Sequence, residues 1–182
     1  EKTNEVIALG NTLMDFLVEV DHDKLLEFDL QKGEMHLVDE EKAQSILQAL
    51  HEHELSIELV PGGSAANTLR CMGFLGGNVI LTGKVGSDKH ADIYVEQMKE
   101  HNVTTRLNGH SATTGHAITF ITPDAERTFS VHLGAALELY KDDVLEEDIA
   151  KSKVLHLEGY QLEGKTRETV LHAAELAKKH QT

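Results

Sequence analysis

The sequence predicts a layered α/β fold on a mostly parallel sheet, with a second, smaller sheet over one end of it. Three observations carry this reading. Short apolar runs such as Val6-Ile7-Ala8-Leu9, Val79-Ile80-Leu81-Thr82 and Val154-Leu155-His156-Leu157 alternate with amphipathic helical stretches, the pattern of buried strands joined by crossover helices. Strand-forming segments near 14–20, 57–60 and 115–132 fall outside that alternation and read as a small separate sheet, a lid. The chain has 182 residues, 40% of them hydrophobic, enough for one domain with its own core. No linker, repeat or low-complexity tract interrupts residues 1–182.

The elements follow in order. Val6 to Leu9 reads as a buried strand ending at Gly10, and Phe16-Leu17-Val18-Glu19-Val20 as a more exposed one. A helix is predicted over 39–50, capped by Asp39, with Ala43, Ile46, Leu47 and Leu50 on one face. The strand Ile57-Glu58-Leu59-Val60 leads to Pro61-Gly62-Gly63. A helix then runs from about Ser64 to Leu75 and stops at Gly76-Gly77. Cys71 falls in its apolar face and is expected to be a buried, inert thiol. After the strand 79–82, Ser87-Asp88 precedes a helix aligning Ala91, Tyr94, Val95 and Met98. A β segment covers 103–107. Two more, 115–121 and 127–133, are joined by a turn at Pro123-Asp124 as a hairpin. Val154 to Leu157 is one more buried strand. A helix over 166–180 turns Val170, Ala173, Ala174 and Ala177 inward.

Composition narrows the partners. The net charge is −14, from 17 basic and 31 acidic residues, and no basic run or aromatic–basic stripe argues for nucleic acid or an anionic membrane surface. A single cysteine excludes an intramolecular disulfide framework. No apolar stretch reaches the roughly 18 residues of a membrane span, and Glu1-Lys2-Thr3-Asn4-Glu5 does not resemble a signal peptide. A cytoplasmic location is expected.

Several motifs fail. Gly83-Lys84 lacks the spacing of a phosphate loop, and Val85 stands where a hydroxyl should meet magnesium. No Gly-x-Gly-x-x-Gly follows a strand, which weakens a dinucleotide-binding reading. Among twelve histidines, His51-Glu52-His53-Glu54 is the densest group. Residues two apart on a helix point to different sides, so no metal site is assigned.

Three features remain open. Gly62-Gly63 and Asn67 sit where a strand passes into a helix. They can form a ligand cradle of backbone donors at a helix N-terminus, or simply a tight turn with a satisfied asparagine. Asp15 follows the first strand among Leu13, Met14, Phe16 and Leu17. A carboxylate there needs partners, which a vicinal diol can supply, unless it lies on the solvated face of an edge strand. Glu158 follows the run 154–157, at a strand C-terminal end where open α/β sheets place ligands; otherwise it is a solvated loop carboxylate.

Taken together, these segments resemble the ribokinase-like, or PfkB, family of small-molecule kinases. Gly10-Asn11-Thr12-Leu13-Met14-Asp15 looks like its first-strand motif, in the form of adenosine-kinase-like members. Gly62-Gly63-Ser64-Ala65-Ala66-Asn67 matches its N-terminal signature, and Gly83-Lys84-Val85-Gly86-Ser87-Asp88 is similar to its Gly-x-x-Gly-x-Asp segment. Thr114-Gly115, Pro123 to Thr128 and Leu133-Gly134-Ala135-Ala136 resemble the lid hairpin and its exit, and Val154 to Tyr160 the strand ending near the substrate.

The resemblance implies a ribokinase-like α/β/α fold with a β-sheet lid, and transfer of the ATP γ-phosphoryl group to a hydroxymethyl of a sugar or nucleoside. It implies that Asp15 holds substrate hydroxyls, with Asn11, Gly62, Gly63 and Asn67 completing the pocket. Glu158 falls where some sugar-kinase members place a further contact. Arg127 and Phe120 belong to the lid. Phe120 and Tyr160 are candidates for stacking on a base, with ordinary packing as the alternative for both. ATP and Mg2+ are the implied cofactors, and a homodimer through lid strands is an implied assembly. The departures matter equally. No Gly-Ala-Gly-Asp-like segment, which supplies the anion hole and general base, is present. None of the six asparagines has Glu three residues on, so the Asn-x-x-Glu motif linked to magnesium is missing too. Ala91 stands where the family usually has Gly. The C-terminal part of the fold, with most of the ATP site, is therefore expected to be absent, leaving the N-terminal, substrate-binding portion with no catalytic residue of its own. A non-catalytic sugar- or nucleoside-binding module derived from such a kinase is the alternative.

Overall fold

A computed structural model describes residues 1–182. Its central sheet has four parallel strands, β1 (Asn4–Leu9), β5 (Val79–Gly86), β6 (Val103–His110) and β9 (Ser152–Leu157), in the order β6-β5-β1-β9. A second, five-stranded sheet comprises β2 (Leu13–Glu19), β3 (Met35–Leu37), β4 (Ile57–Gly62), β7 (Gly115–Ile121) and β8 (Arg127–His132), ordered β3-β8-β7-β2-β4. The segments outside the helix–strand alternation do form this separate sheet. It is mixed: β7 and β8 make an antiparallel hairpin, whereas β2 lies parallel to β7 and antiparallel to β4.

The helices are α1 (His22–Glu27), α2 (Glu40–Glu52), α3 (Ser64–Phe74), α4 (Lys89–Glu100), α5 (Glu146–Ala150) and α6 (Arg167–His180). Asp39 caps α2 by accepting from Lys42 N. Asp88 caps α4 through His90 N and Ala91 N. Its carboxylate also accepts from the backbone N–H and hydroxyl of Thr114, both at 2.7 Å, which ties the start of β7 to α4. One capping residue therefore anchors the lid sheet to the main layer.

Two cores flank the parallel sheet. On one side Ala8, Val79 and Leu81 pack with Leu69 of α3, Tyr94 and Met98 of α4, and the inner face of the lid sheet, where Met14, Phe16, Val18, Ile118 and Phe120 reach Phe28, Ile46 and Leu50. On the other, Ile7, Leu9 and Ile80 pack against Ile149, Ala173, Leu176 and Ala177. This second face also carries an ion pair shielded from water. Lys84 Nζ lies 2.6 Å from Asp143 Oδ1, which also accepts from Asn108 Nδ2.

Four expectations change. Phe120 is not at the cleft; it is fully buried and packs on Phe28, with ring centroids 5.4 Å apart. Alternation along β7 decides this, because Phe120 shares the core-facing side with Ile118 while Ala117 faces the other way. Cys71 is exposed, since the buried side of α3 runs through Ala65, Ala66, Leu69 and Gly73. The strand 154–157 lies at a sheet edge, with Val154 half exposed. Val95 on α4 and Ala174 on α6 turn outward, and Leu176 takes the inward place beside Ala173 and Ala177.

Candidate functional site

A cleft of about 760 Å³ opens between the C-terminal ends of the parallel strands and the outer face of the lid sheet. Asn11, Asp15, Gly63 and Glu158 line its floor. Met35, Leu37, Phe129, Val131, Leu133 and Leu137 form an apolar wall. Tyr160 and Glu163 stand at the rim beyond β9. No lysine, arginine or histidine lines the cleft.

The floor is made by the turn between β4 and α3. Gly63 adopts φ 96°, and a Cβ there would lie 2.1 Å from the Asn11 carbonyl oxygen. Only glycine fits this conformation and this approach. A Cβ on Gly62 would lie 2.2 Å from Asp15 Oδ1, so the turn packs directly against the carboxylate. Tyr94, buried beneath, donates its hydroxyl to Gly62 O at 2.9 Å. Burial pushes the Tyr94 phenol up, and the negative charges of Asp15 and Glu158 add to this, so it remains a neutral donor.

Asp15 comes from β2, paired with Val60 on one side and Ala117 on the other. Burial pushes its carboxyl up to about 6, opposed by the positive charge of Arg70. No protein hydrogen bond contributes to holding its charge. A largely buried carboxylate with free acceptor sites, facing an apolar cleft, suits a ligand that brings its own hydroxyl donors.

Glu158 is differently employed. It is buried, its Oε2 accepts from Asn11 N at 2.9 Å, and its Oε1 accepts from Ala65 N in the first turn of α3. It therefore joins three segments, the end of β9, the loop after β1 and the α3 N-terminus. The helix-end donor that a sequence reading offers to a ligand is occupied by this carboxylate.

The structure thus brings Asn11, Asp15, Gly62, Gly63 and Glu158 together. Asn67 is exposed one turn into α3 and does not line the cleft; its Oδ1 accepts from Arg70 Nη1 at 3.3 Å. Arg127 begins β8 opposite Ile121, at the hairpin tip, and does not line the cleft. Sequence reasoning missed the apolar wall. Its β3 strand is three residues long, and the outward alternation of β8 shows only once the sheet is known.

A family model described as pfkB family carbohydrate kinase matches residues 33–182. The chain belongs to this family. Within the pfkB family it is similar to guanosine-inosine kinase of Escherichia coli strain K12, 25% identical over 184 residues that take in 96% of this chain and 42% of the relative. Adenosine kinase of Saccharomyces cerevisiae is 27% identical over 169 residues, 88% of this chain and 49% of that protein. A 5-dehydro-2-deoxygluconokinase of Bacillus licheniformis is 33% identical over 138 residues, 71% of this chain and 42% of that protein. Among solved structures, adenosine kinase from Sinorhizobium meliloti superposes with a TM-score of 0.86 at 29% identity, covering 100% of this chain and 55% of that one. A probable sugar kinase from Rhizobium etli gives 0.87 at 28%, covering 99% and 54%. The fold is ribokinase-like α/β, and the chain spans about half the length of these pfkB relatives.

Proposed function

We propose that this chain forms the acceptor pocket and lid of an ATP-dependent kinase that phosphorylates a hydroxymethyl group of a nucleoside or sugar. The observation that carries the reading is Asp15, largely buried at the cleft floor with no protein donor of its own. Above about pH 6 it is a carboxylate able to accept two hydrogen bonds from a vicinal diol. Gly62 and Gly63 keep the backbone low enough for that diol to approach.

The wall favours a nucleoside. Met35 and Leu37 are 56% and 66% exposed, and a flat base laid on them and on Phe129 would bury apolar area that a bare sugar leaves wet. The relatives named for guanosine, inosine and adenosine kinase activity fit this reading.

Kinase chemistry implies ATP with Mg2+, and the residues lining this cleft do not fit a polyphosphate. They include three carboxylates and no cation, and the Ala65 N–H is taken by Glu158. Nor does any group of three or more His, Cys, Asp or Glu stand close enough together to hold a metal ion. The contribution of this half is therefore to bind and orient the acceptor, and to exclude water when the lid sheet covers it.

A thermal-shift screen of adenosine, guanosine, ribose and fructose against the intact gene product, followed by ATP-dependent turnover, tests the reading. Stabilisation by a nucleoside that disappears in Asp15→Ala supports it. Unchanged stabilisation in that variant removes Asp15 from the site. Binding without turnover would favour a non-catalytic binding module.

A further inference from the structure

Arg70 belongs to α3 but faces β4. Its Nη1 donates to Pro61 O at 2.9 Å and to Asn67 Oδ1 at 3.3 Å, and its Nη2 lies 3.2 Å from His101 Nε2. Its Nε is buried without a partner. Pro61 is the residue immediately before Gly62-Gly63, on the lid strand that pairs with the Asp15 strand. One guanidinium thus spans lid sheet, glycine turn and helix, from behind the cleft rather than within it.

We propose that Arg70 is the positioning residue of the acceptor pocket: it fixes the β4–α3 turn against Asp15 and sets the orientation of the Asn67 amide. The second part follows from donor inventory. A guanidinium only donates, so the Asn67 oxygen must face Arg70 and the amide NH2 must turn away from it. Asn67 is thereby presented as a donor, complementary to the acceptor carboxylate of Asp15. The first part follows from the bond to Pro61 O, which holds the lid strand down on α3 where Gly62 meets the carboxylate.

The charge of Arg70 acts in the same direction, because it opposes the burial that favours protonated Asp15. The other titratable groups around Asp15 are Tyr94 from α4, neutral and bonded to Gly62 O, Glu158 beyond β9, and Glu58 two residues from Val60 on β4. Strand β7 offers Ala117 opposite Asp15 and no titratable group there. Arg70 is the one cation among them.

This assignment rests on the acceptor-pocket reading for its purpose, but it can be read without any ligand. The Asp15 side-chain carboxyl is followed by 13C NMR across pH 4 to 8 in wild type, Arg70→Met and Arg70→Lys, with thermal unfolding in parallel. The midpoint should rise by at least about half a pH unit in Arg70→Met and by less in Arg70→Lys. Adenosine affinity at pH 5, below the Asp15 midpoint, should fall roughly threefold or more in Arg70→Met, with partial rescue by Lys. A folded Arg70→Met with an unmoved Asp15 midpoint overturns the proposal, because a purely structural arginine would change the unfolding temperature alone. If Arg70→Met does not fold, Arg70→Gln, which keeps one donor for Pro61 O without the charge, is read by the same criterion. Failure of wild type to bind adenosine, with the midpoint shift intact, would refute the nucleoside reading and leave this one standing.

Discussion

Asp15 makes the protein less stable than it need be at neutral pH, and the size of that cost can be worked from the structure. Burial lifts its carboxyl from 3.8 to about 6, opposed by the Arg70 charge. The folded state therefore binds this proton more tightly than the unfolded chain does. Where the folded carboxyl is protonated and the unfolded one is not, stability falls as pH rises. The loss begins near pH 4 and is complete above pH 7. A displacement of about two pH units corresponds to about 3 kcal/mol, an upper figure because the cleft is open to water. Replacing the group by its neutral isostere, Asp15→Asn, should remove this penalty. The variant should match wild type below pH 4 and exceed it by about 1.5 to 3 kcal/mol at pH 7.5. For a chain of this length that is roughly 3 to 12 °C in Tm. The assay is urea and thermal unfolding of both proteins from pH 4 to 8, read as a difference so that other titrating groups cancel. An Asn variant less stable than wild type at pH 7.5, or a difference independent of pH, would refute the reasoning. The same variant should lose acceptor binding, so stability and ligand recognition move in opposite directions.

Three further outcomes follow from the geometry. Gly63→Ala places a Cβ against Asn11 O at a positive φ, and chemical denaturation should show a loss of about 2 to 4 kcal/mol together with lost ligand stabilisation. Glu158→Leu leaves Asn11 N and Ala65 N without their acceptor, costing about 2 to 4 kcal/mol; Glu158→Gln, which keeps one carbonyl oxygen for one of them, should recover part of this in urea melts. Lys84→Met strands the buried Asp143 carboxylate and should cost about 3 to 5 kcal/mol, whereas the double variant with Asp143→Leu should regain most of it. A double-mutant cycle without coupling would remove that pair from the account.

The fold was legible where local chemistry sets it. Asp39 announces α2 and caps it as the sequence suggests, and Ser87-Asp88 marks the start of α4, where the Asp88 carboxylate is the cap. The apolar runs of β1 and β5 need no partner to be recognised. The lid segments stood out because they broke the alternation, although the parallel pairing of β2 with β7 could not be read locally. Sidedness was harder. Cys71 lies two residues from Leu69, about 200° around the helix, and so faces water. Phe120 looked like a stacking residue because an aromatic near a lid suggests one, and pleat alternation sends it into the core. The role of Glu158 was hidden for another reason. Its partners are 147 and 93 residues away in sequence, and both are backbone N–H groups that no side-chain pattern reveals.

That separation has a consequence for how the protein is made. The pocket floor is closed by a carboxylate from residue 158 bonding to residues 11 and 65, and strand β1 gains its second neighbour only when β9 arrives. A chain emerging from the ribosome can build the lid hairpin and the β1–β5 pair early, because their residues are already out. It cannot finish the cleft until Glu158 has followed. During that interval the α3 N-terminus and the loop after β1 lack the acceptor that satisfies them, and the unpaired side of β1 is open to other strands. Chaperone capture and misassembly should therefore concentrate on nascent chains whose Glu158 has not yet left the ribosome, and decline once Glu158 docks.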